Sequence, residues 1–120
     1  MTGTSDFALR TLVTGATGFI GQHLARRLVE AGAQVWAGAF SDENPKRVRT
    51  LPSQARRLSV DVREAESVSQ AVTRCEPEVV FHLAAVGVTD PAVDPALALA
   101  VNAGGTVHLL EALRGRDVRR

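Results

Sequence analysis

The chain has 120 residues, 45% hydrophobic and 22% charged, a globular composition with apolar material for one core. Its Lys and Arg number 14 against 13 Asp and Glu, and a net charge of +1 gives no electrostatic reason to invoke nucleic acid or an acidic membrane surface. A single cysteine, Cys75, excludes an internal disulfide, the first residues carry neither a basic nor an apolar leader, and no apolar run approaches the roughly 20 residues of a membrane helix, so a cytoplasmic protein is expected.

In chain order, Ala8 to Thr14 is a short β-prone run, followed by a glycine-rich turn and a helical pattern with Ile20, Leu24 and Leu28 on one face. Gly32 closes that helix, Val35 to Phe40 reads as a second strand, and Ser41 to Lys46 reads as a loop leading to a weak helix. Arg57 to Val60 is a third strand. Val68, Ala71, Val72 and Cys75 share the apolar face of a helix over 64–75, and after Pro77 the run Val79 to Leu83 is apolar enough for a parallel strand covered on both faces. Asp94 and Pro95 form an N-cap and first-turn pair for a helix through Leu97, Val101, Val107, Leu110 and Leu113, ended by Gly115. The alternation βαβαβαβα with right-handed crossovers predicts a doubly wound parallel α/β sheet in the order 3-2-1-4, one partial domain over 1–120. A ligand crevice then lies outside the carboxyl ends of strands one and four.

The strongest motif is Thr14-Gly15-Ala16-Thr17-Gly18-Phe19-Ile20-Gly21. Placed between a strand and an amphipathic helix it serves as a phosphate cradle: Gly15 permits the turn, Gly18 the approach of a pyrophosphate, and Gly21 close packing of helix on sheet, while the amides near Phe19 and Ile20 lie at the positive end of a helix dipole. No Gly-Lys-Ser/Thr follows, so it is not a P-loop. His23, His82 and His108 are far apart and no Cys/His spacing suits zinc; they are expected to be structural, and no metal is expected. Cys75 reads as a buried small hydrophobe. Thr89 and Asp90 either border a substrate or serve only turn chemistry.

The turn resembles the T-G-x-x-G-x-x-G signature of the extended short-chain dehydrogenase/reductases, the NAD-dependent epimerases and dehydratases. Asp61-Val62 resembles that family's adenine-contacting pair, His82-Leu83-Ala84-Ala85 its H-x-A-A strand end, and Asn102 to Thr106 its N-x-x-G-T helix. The resemblance implies a Rossmann fold that holds NAD or NADP through Gly15, Thr17, Gly18, Phe19, Ile20, Gly21, Ser41, Asp61, Val62, Leu83, Ala84 and Ala85. It also implies a nucleotide sugar or related carbonyl or alcohol as substrate, with Asn102 an orienting residue beneath the active site.

The chain departs from that pattern in two ways. Ala37 to Ser41 offers no carboxylate where NAD-binding members carry one for the ribose, Asp42 and Glu43 lying slightly too far on, and Ser41, Lys46, Arg47 and Arg49 are available to neutralise a 2′-phosphate, so the balance falls towards NADP. The family's Tyr-x-x-x-Lys pair has no counterpart: there is no tyrosine, and Lys46 precedes the third strand. No catalytic residue is therefore expected within these 120 residues, and no turnover by them alone. Three readings stay open: a part of an enzyme completed by a further segment or chain, a dinucleotide-binding module without turnover, and a damaged gene product. The strand Val79 to Leu83 is expected to need an outer neighbour, from a second copy or another chain.

Overall fold

The computed structural model describes residues 8–40, 45–87 and 90–119. Four parallel strands, β1 (Arg10–Thr14), β2 (Gln34–Ala39), β3 (Arg56–Ser59) and β4 (Val79–His82), form one sheet in the order β3-β2-β1-β4. The crossovers contain the helices α1 (Phe19–Glu30), the single turn α2 (Pro45–Val48) and α3 (Ala65–Cys75); α4 (Pro95–Leu113) follows β4. The expected α/β class and strand order hold, each strand lying within about two residues of its expected bounds.

Alternation along β1 divides the core. Leu12 joins Leu58, Val60, Val68 and Val72 on the side of α3 and α4, whereas Val13 joins Ala16, Ala25, Val35 and Ala37 beneath α1. Leu12 and Val13 are wholly enclosed, each worth about 1.5–3 kcal/mol in apolar burial. Cys75 belongs to the first cluster, and burial pushes its thiol up to about 11, so it acts as a hydrophobe.

Four features differ from expectation. Pro45 and Lys46, read as loop, begin α2, because proline is preset for a first helical turn. The stretch Leu99–Gly104 of α4 is π-helical. Its wider turn shifts the register, so Val101, Gly105 and Leu109 are buried while Val107 and Leu110, expected on the inner face, are exposed. Third, among the described residues α4 is long and apolar enough to cross a membrane by length and composition, with mean hydropathy 1.4. No uninterrupted apolar run announced this; the helix packs one face, with Val101 and Leu109, on the core, and Leu97, Ala112 and Leu113 lie against the same cluster.

The fourth difference concerns β4. After α4 the chain returns along the free side of that strand, where Arg119 makes a parallel bridge to Val79 and donates its N–H to the Glu78 carbonyl. The outer neighbour expected to be missing is thus begun. Beyond that rung no strand covers Val80 to His82 among the described residues, and β4 is only half-buried, not enclosed on both faces.

Candidate functional site

Thr14 ends β1 and is 2% exposed. Its Oγ1 accepts the amides of Leu83 at 3.0 Å and Ala84 at 3.2 Å and lies 2.7 Å from Nδ1 of His82. With both acceptor positions taken, the hydroxyl gives its own proton to Nδ1, which fixes the imidazole hydrogen on Nε2. Nε2 then donates to Thr106 Oγ1 at 3.2 Å, and Thr106 donates to the Asn102 carbonyl at 2.8 Å. An ordered chain of hydrogen bonds therefore ties the ends of β1 and β4 to α4.

Burial holds His82 below its ordinary value of 6.5, and protonation would set a second donor against Thr14 Oγ1. The unfolded chain takes up this proton near 6.5 and the folded chain lower, so between the two the unfolded state binds more protons and stability falls as pH falls. Above that window the contribution is complete. Denaturation midpoints should drop between about pH 7.5 and pH 5.5 in the wild type and drop less in His82→Gln, which does not titrate. Equal drops in both would contradict this account.

The glycines occupy three different situations. Gly15 has φ +65°, and a Cβ there would lie 2.8 Å from the Ala84 nitrogen. Gly21 is packed so that a Cβ would lie 2.1 Å from the Gly15 carbonyl oxygen. Gly18 is the N-cap of α1 with φ −70°, ordinary extended backbone, and a Cβ there meets only the Gly15 oxygen at 3.3 Å. Gly18 is therefore free of strain and leaves space open. No side chain caps α1 and no acid occupies its first turn, so the amides of Phe19 and Ile20 face that space. Their side chains, 78% and 66% exposed, stand outside it.

A groove of about 320 Å³ runs across the carboxyl ends of the strands. Of the residues singled out in the sequence it brings together Gly15, Gly18, Asp61, Val62, Leu83, Ala84 and Ala85. Thr17 lines a neighbouring cavity instead, Gly21 is buried beneath the turn, and Ser41 lies outside the described residues, as does Thr89. Asp90 accepts the Ala92 amide at 2.9 Å, a local turn bond. Asn102 accepts the Val86 amide and donates to the Val86 carbonyl, both at 2.9 Å, pinning the loop that forms one wall. Among the described residues no cluster of His, Cys, Asp or Glu could hold a metal.

Sequence reasoning passed over Arg63 and Phe40. Arg63 makes a two-pronged pair with Asp61, at 3.0 Å and 2.7 Å, and its guanidinium lies 5.1 Å from the centre of the Phe40 ring. Hydrogen bonding from Arg63 holds the Asp61 carboxyl below the usual carboxylate range. The sequence signal was the two-residue spacing of Asp61 and Arg63 in a turn. Thr14 was quoted in the motif with no role assigned; its position beside His82 depends on pairing between β1 and β4, which sequence spacing alone does not reveal.

A parallel sheet in this order, with a glycine turn at the carboxyl end of its first strand, defines a Rossmann-type domain. The chain belongs to the NAD dependent epimerase/dehydratase family, whose model matches residues 11–120. It is 38% identical over 117 residues to UDP-glucose 4-epimerase of Mycolicibacterium smegmatis, covering 93% of this chain and 37% of that protein. CDP-glucose 4,6-dehydratase of Salmonella typhimurium is 34% identical, over 88% of this chain and 30% of its own length. The crystal structure of Thermus thermophilus UDP-glucose 4-epimerase in complex with NAD superposes with a TM-score of 0.75 at 34% identity, over 87% of this chain and 33% of that one. The chain thus spans about a third of the length of these relatives.

Proposed function

We propose that these residues are the dinucleotide-holding part of an NAD(P)-dependent epimerase, dehydratase or reductase acting on a nucleotide sugar or a related carbonyl or alcohol substrate. The observation that carries the reading is the groove over β1 and β4, floored by Gly15 and Gly18 and open to the first amides of α1. In this reading the pyrophosphate rests on those amides, Ala84 and Ala85 let the nicotinamide half lie against the backbone, and Asp61, keeping lone pairs beyond those given to Arg63, accepts from the adenine amine. When bound, the nicotinamide would take a hydride from the substrate or give one to it. Asn102 acts as a positioning residue by fixing the loop at Val86.

NADP is the favoured form. The described end of β2 has no carboxylate, and Arg47 lines the groove. The proposal further holds that the outer edge of β4 is covered in the working protein by the strand that Arg119 begins, continued by further chain or supplied by a partner or second copy. A cytoplasmic location belongs to the same reading, where nicotinamide cofactors are available.

Proton transfer to the substrate falls to groups outside residues 1–120, since these include no tyrosine and their one lysine, Lys46, belongs to α2. Purified residues 1–120, incubated with either cofactor and a panel of nucleoside-diphosphate sugars, should bind dinucleotide and show no turnover. Cofactor reduction or epimerisation by these residues alone would contradict the proposal.

A further inference from the structure

His108 stands on α4, outside the groove, with its Nδ1 2.8 Å from the carbonyl oxygen of Val62. A carbonyl can only accept, so Nδ1 carries the hydrogen. Three residues earlier on the same helix, Gly105 lets α4 close on the buried Val62 side chain: a Cβ there would lie 2.8 Å from Val62 Cγ2. The helix thus holds Val62 twice, by packing and by a hydrogen bond. Val62 belongs to the turn 61–64, closed by the Glu64 N–H donating to the Asp61 carbonyl at 3.0 Å. Its carbonyl and the Arg63 N–H are the two ends of the central peptide of that turn. The N–H end donates to Asp61 Oδ1 at 3.0 Å, the Arg63 Nε donates to the same oxygen at 3.0 Å, and the Arg63 Nη2 to Oδ2 at 2.7 Å. Both lone pairs of Oδ1 are therefore engaged, and one acceptor position is left on Oδ2.

We propose that His108 is a positioning residue for base recognition: by holding the Val62 carbonyl it fixes the central peptide of the turn, and through that peptide the one acceptor position that Asp61 offers to the groove. The proposal rests on the dinucleotide reading of the groove, in which Asp61 accepts from the adenine amine. It goes further in giving a role to His108, which sequence reasoning treated as structural and which touches no part of the groove itself. The turn supplies no donor to its own central carbonyl, so without His108 that carbonyl turns towards water. The peptide is planar, and the Arg63 N–H must turn with it and leave Asp61 Oδ1. Oδ1 then regains a lone pair, the carboxylate loses one of its three fixed bonds, and its free acceptor position no longer points one way. Adenine offers that position an N–H, whereas hypoxanthine puts a carbonyl oxygen in the same place, which a carboxylate repels. A fixed carboxylate separates the two bases, and a loosened one separates them less.

The test uses the whole protein and two pairs of probes, NAD⁺ and NADP⁺, each beside its analogue with hypoxanthine in place of adenine, titrated by calorimetry. The wild type should bind the adenine member of each pair about tenfold more tightly or better. His108→Phe keeps a ring and removes the donor, and its preference should fall to about threefold or less. Its affinity for the hypoxanthine analogues should stay within about twofold of the wild type, which also reports that it folds; His108→Leu asks the same question should the phenylalanine variant not fold. His108→Asn carries an N–H on the same γ-carbon that bears Nδ1 in histidine, and it should keep the wild-type preference. A merely structural histidine would lower the affinity for both members of a pair alike and leave their ratio unchanged. No base preference in the wild type, a preference that survives loss of the donor, or one lost as fully in His108→Asn as in His108→Phe would overturn the role of His108 and leave the dinucleotide reading standing. Failure of the wild type to bind any of the four probes would overturn both.

Discussion

Gly21→Ala should cost the fold about 3 kcal/mol or more and lower the melting temperature by roughly 10 °C or more. The added Cβ would sit 2.1 Å from the Gly15 carbonyl oxygen and 2.8 Å from the Ala16 Cα, both backbone atoms with no side-chain freedom to give way. The turn cannot retreat, because Gly15 is itself pressed against the backbone of Leu83 and Ala84. Nor can α1 simply move out, since Ala25, 0% exposed, is closed against Val13 and Val35 in the core beneath it. Either shift opens a gap in close-packed interior or breaks hydrogen bonds at the strand ends. Urea denaturation followed by the fluorescence of Trp36 measures the loss; an alanine variant as stable as the wild type would show that helix and turn do not approach as described.

Strands β1, β2 and β4 were legible as short runs rich in apolar or β-branched residues, and β3 by the alternation of Leu58 and Val60 with polar residues; the parallel order follows once helices alternate with them. The start of α4 was legible for a local reason: Asp94 accepts the Ala96 amide, and Pro95 follows it. Its buried face was not, because a period of 3.6 cannot anticipate the π-helical turn around Asn102, and one extra residue per turn moves Leu110 out and Leu109 in. The residues around Gly15, Asp61 and Ala84 could be grouped from the sequence because each follows the end of a strand, and the structure places them along one groove. The hydrogen-bond chain from Thr14 to Thr106 was not, since it joins residues up to 70 positions apart through the register of β1 with β4. Which glycine of the turn needs its conformational freedom was not legible either: the left-handed backbone sits at Gly15, whereas Gly18 has ordinary extended backbone.

That difference separates binding from folding, and Gly18→Val is the substitution that uses it. With φ −70° the backbone accepts a side chain, and the one atom the new Cβ meets, the Gly15 oxygen at 3.3 Å, is a tight contact that must ease by a few tenths of an ångström, far milder than the 2.1 Å overlap at Gly21. Valine is a poorer N-cap than glycine, so the stability cost should be about 1 kcal/mol. Its methyls, in contrast, project into the groove in front of the α1 amides, the space assigned to a pyrophosphate. The central claim, that the Gly15 to Gly21 turn holds a dinucleotide, is therefore tested most directly by titrating wild type and Gly18→Val with NADP⁺ and NAD⁺ in a calorimeter. The account predicts measurable binding by the wild type and a loss of about 100-fold or more in the variant, with melting temperatures only a few degrees apart. Equal affinity in the two proteins would contradict it.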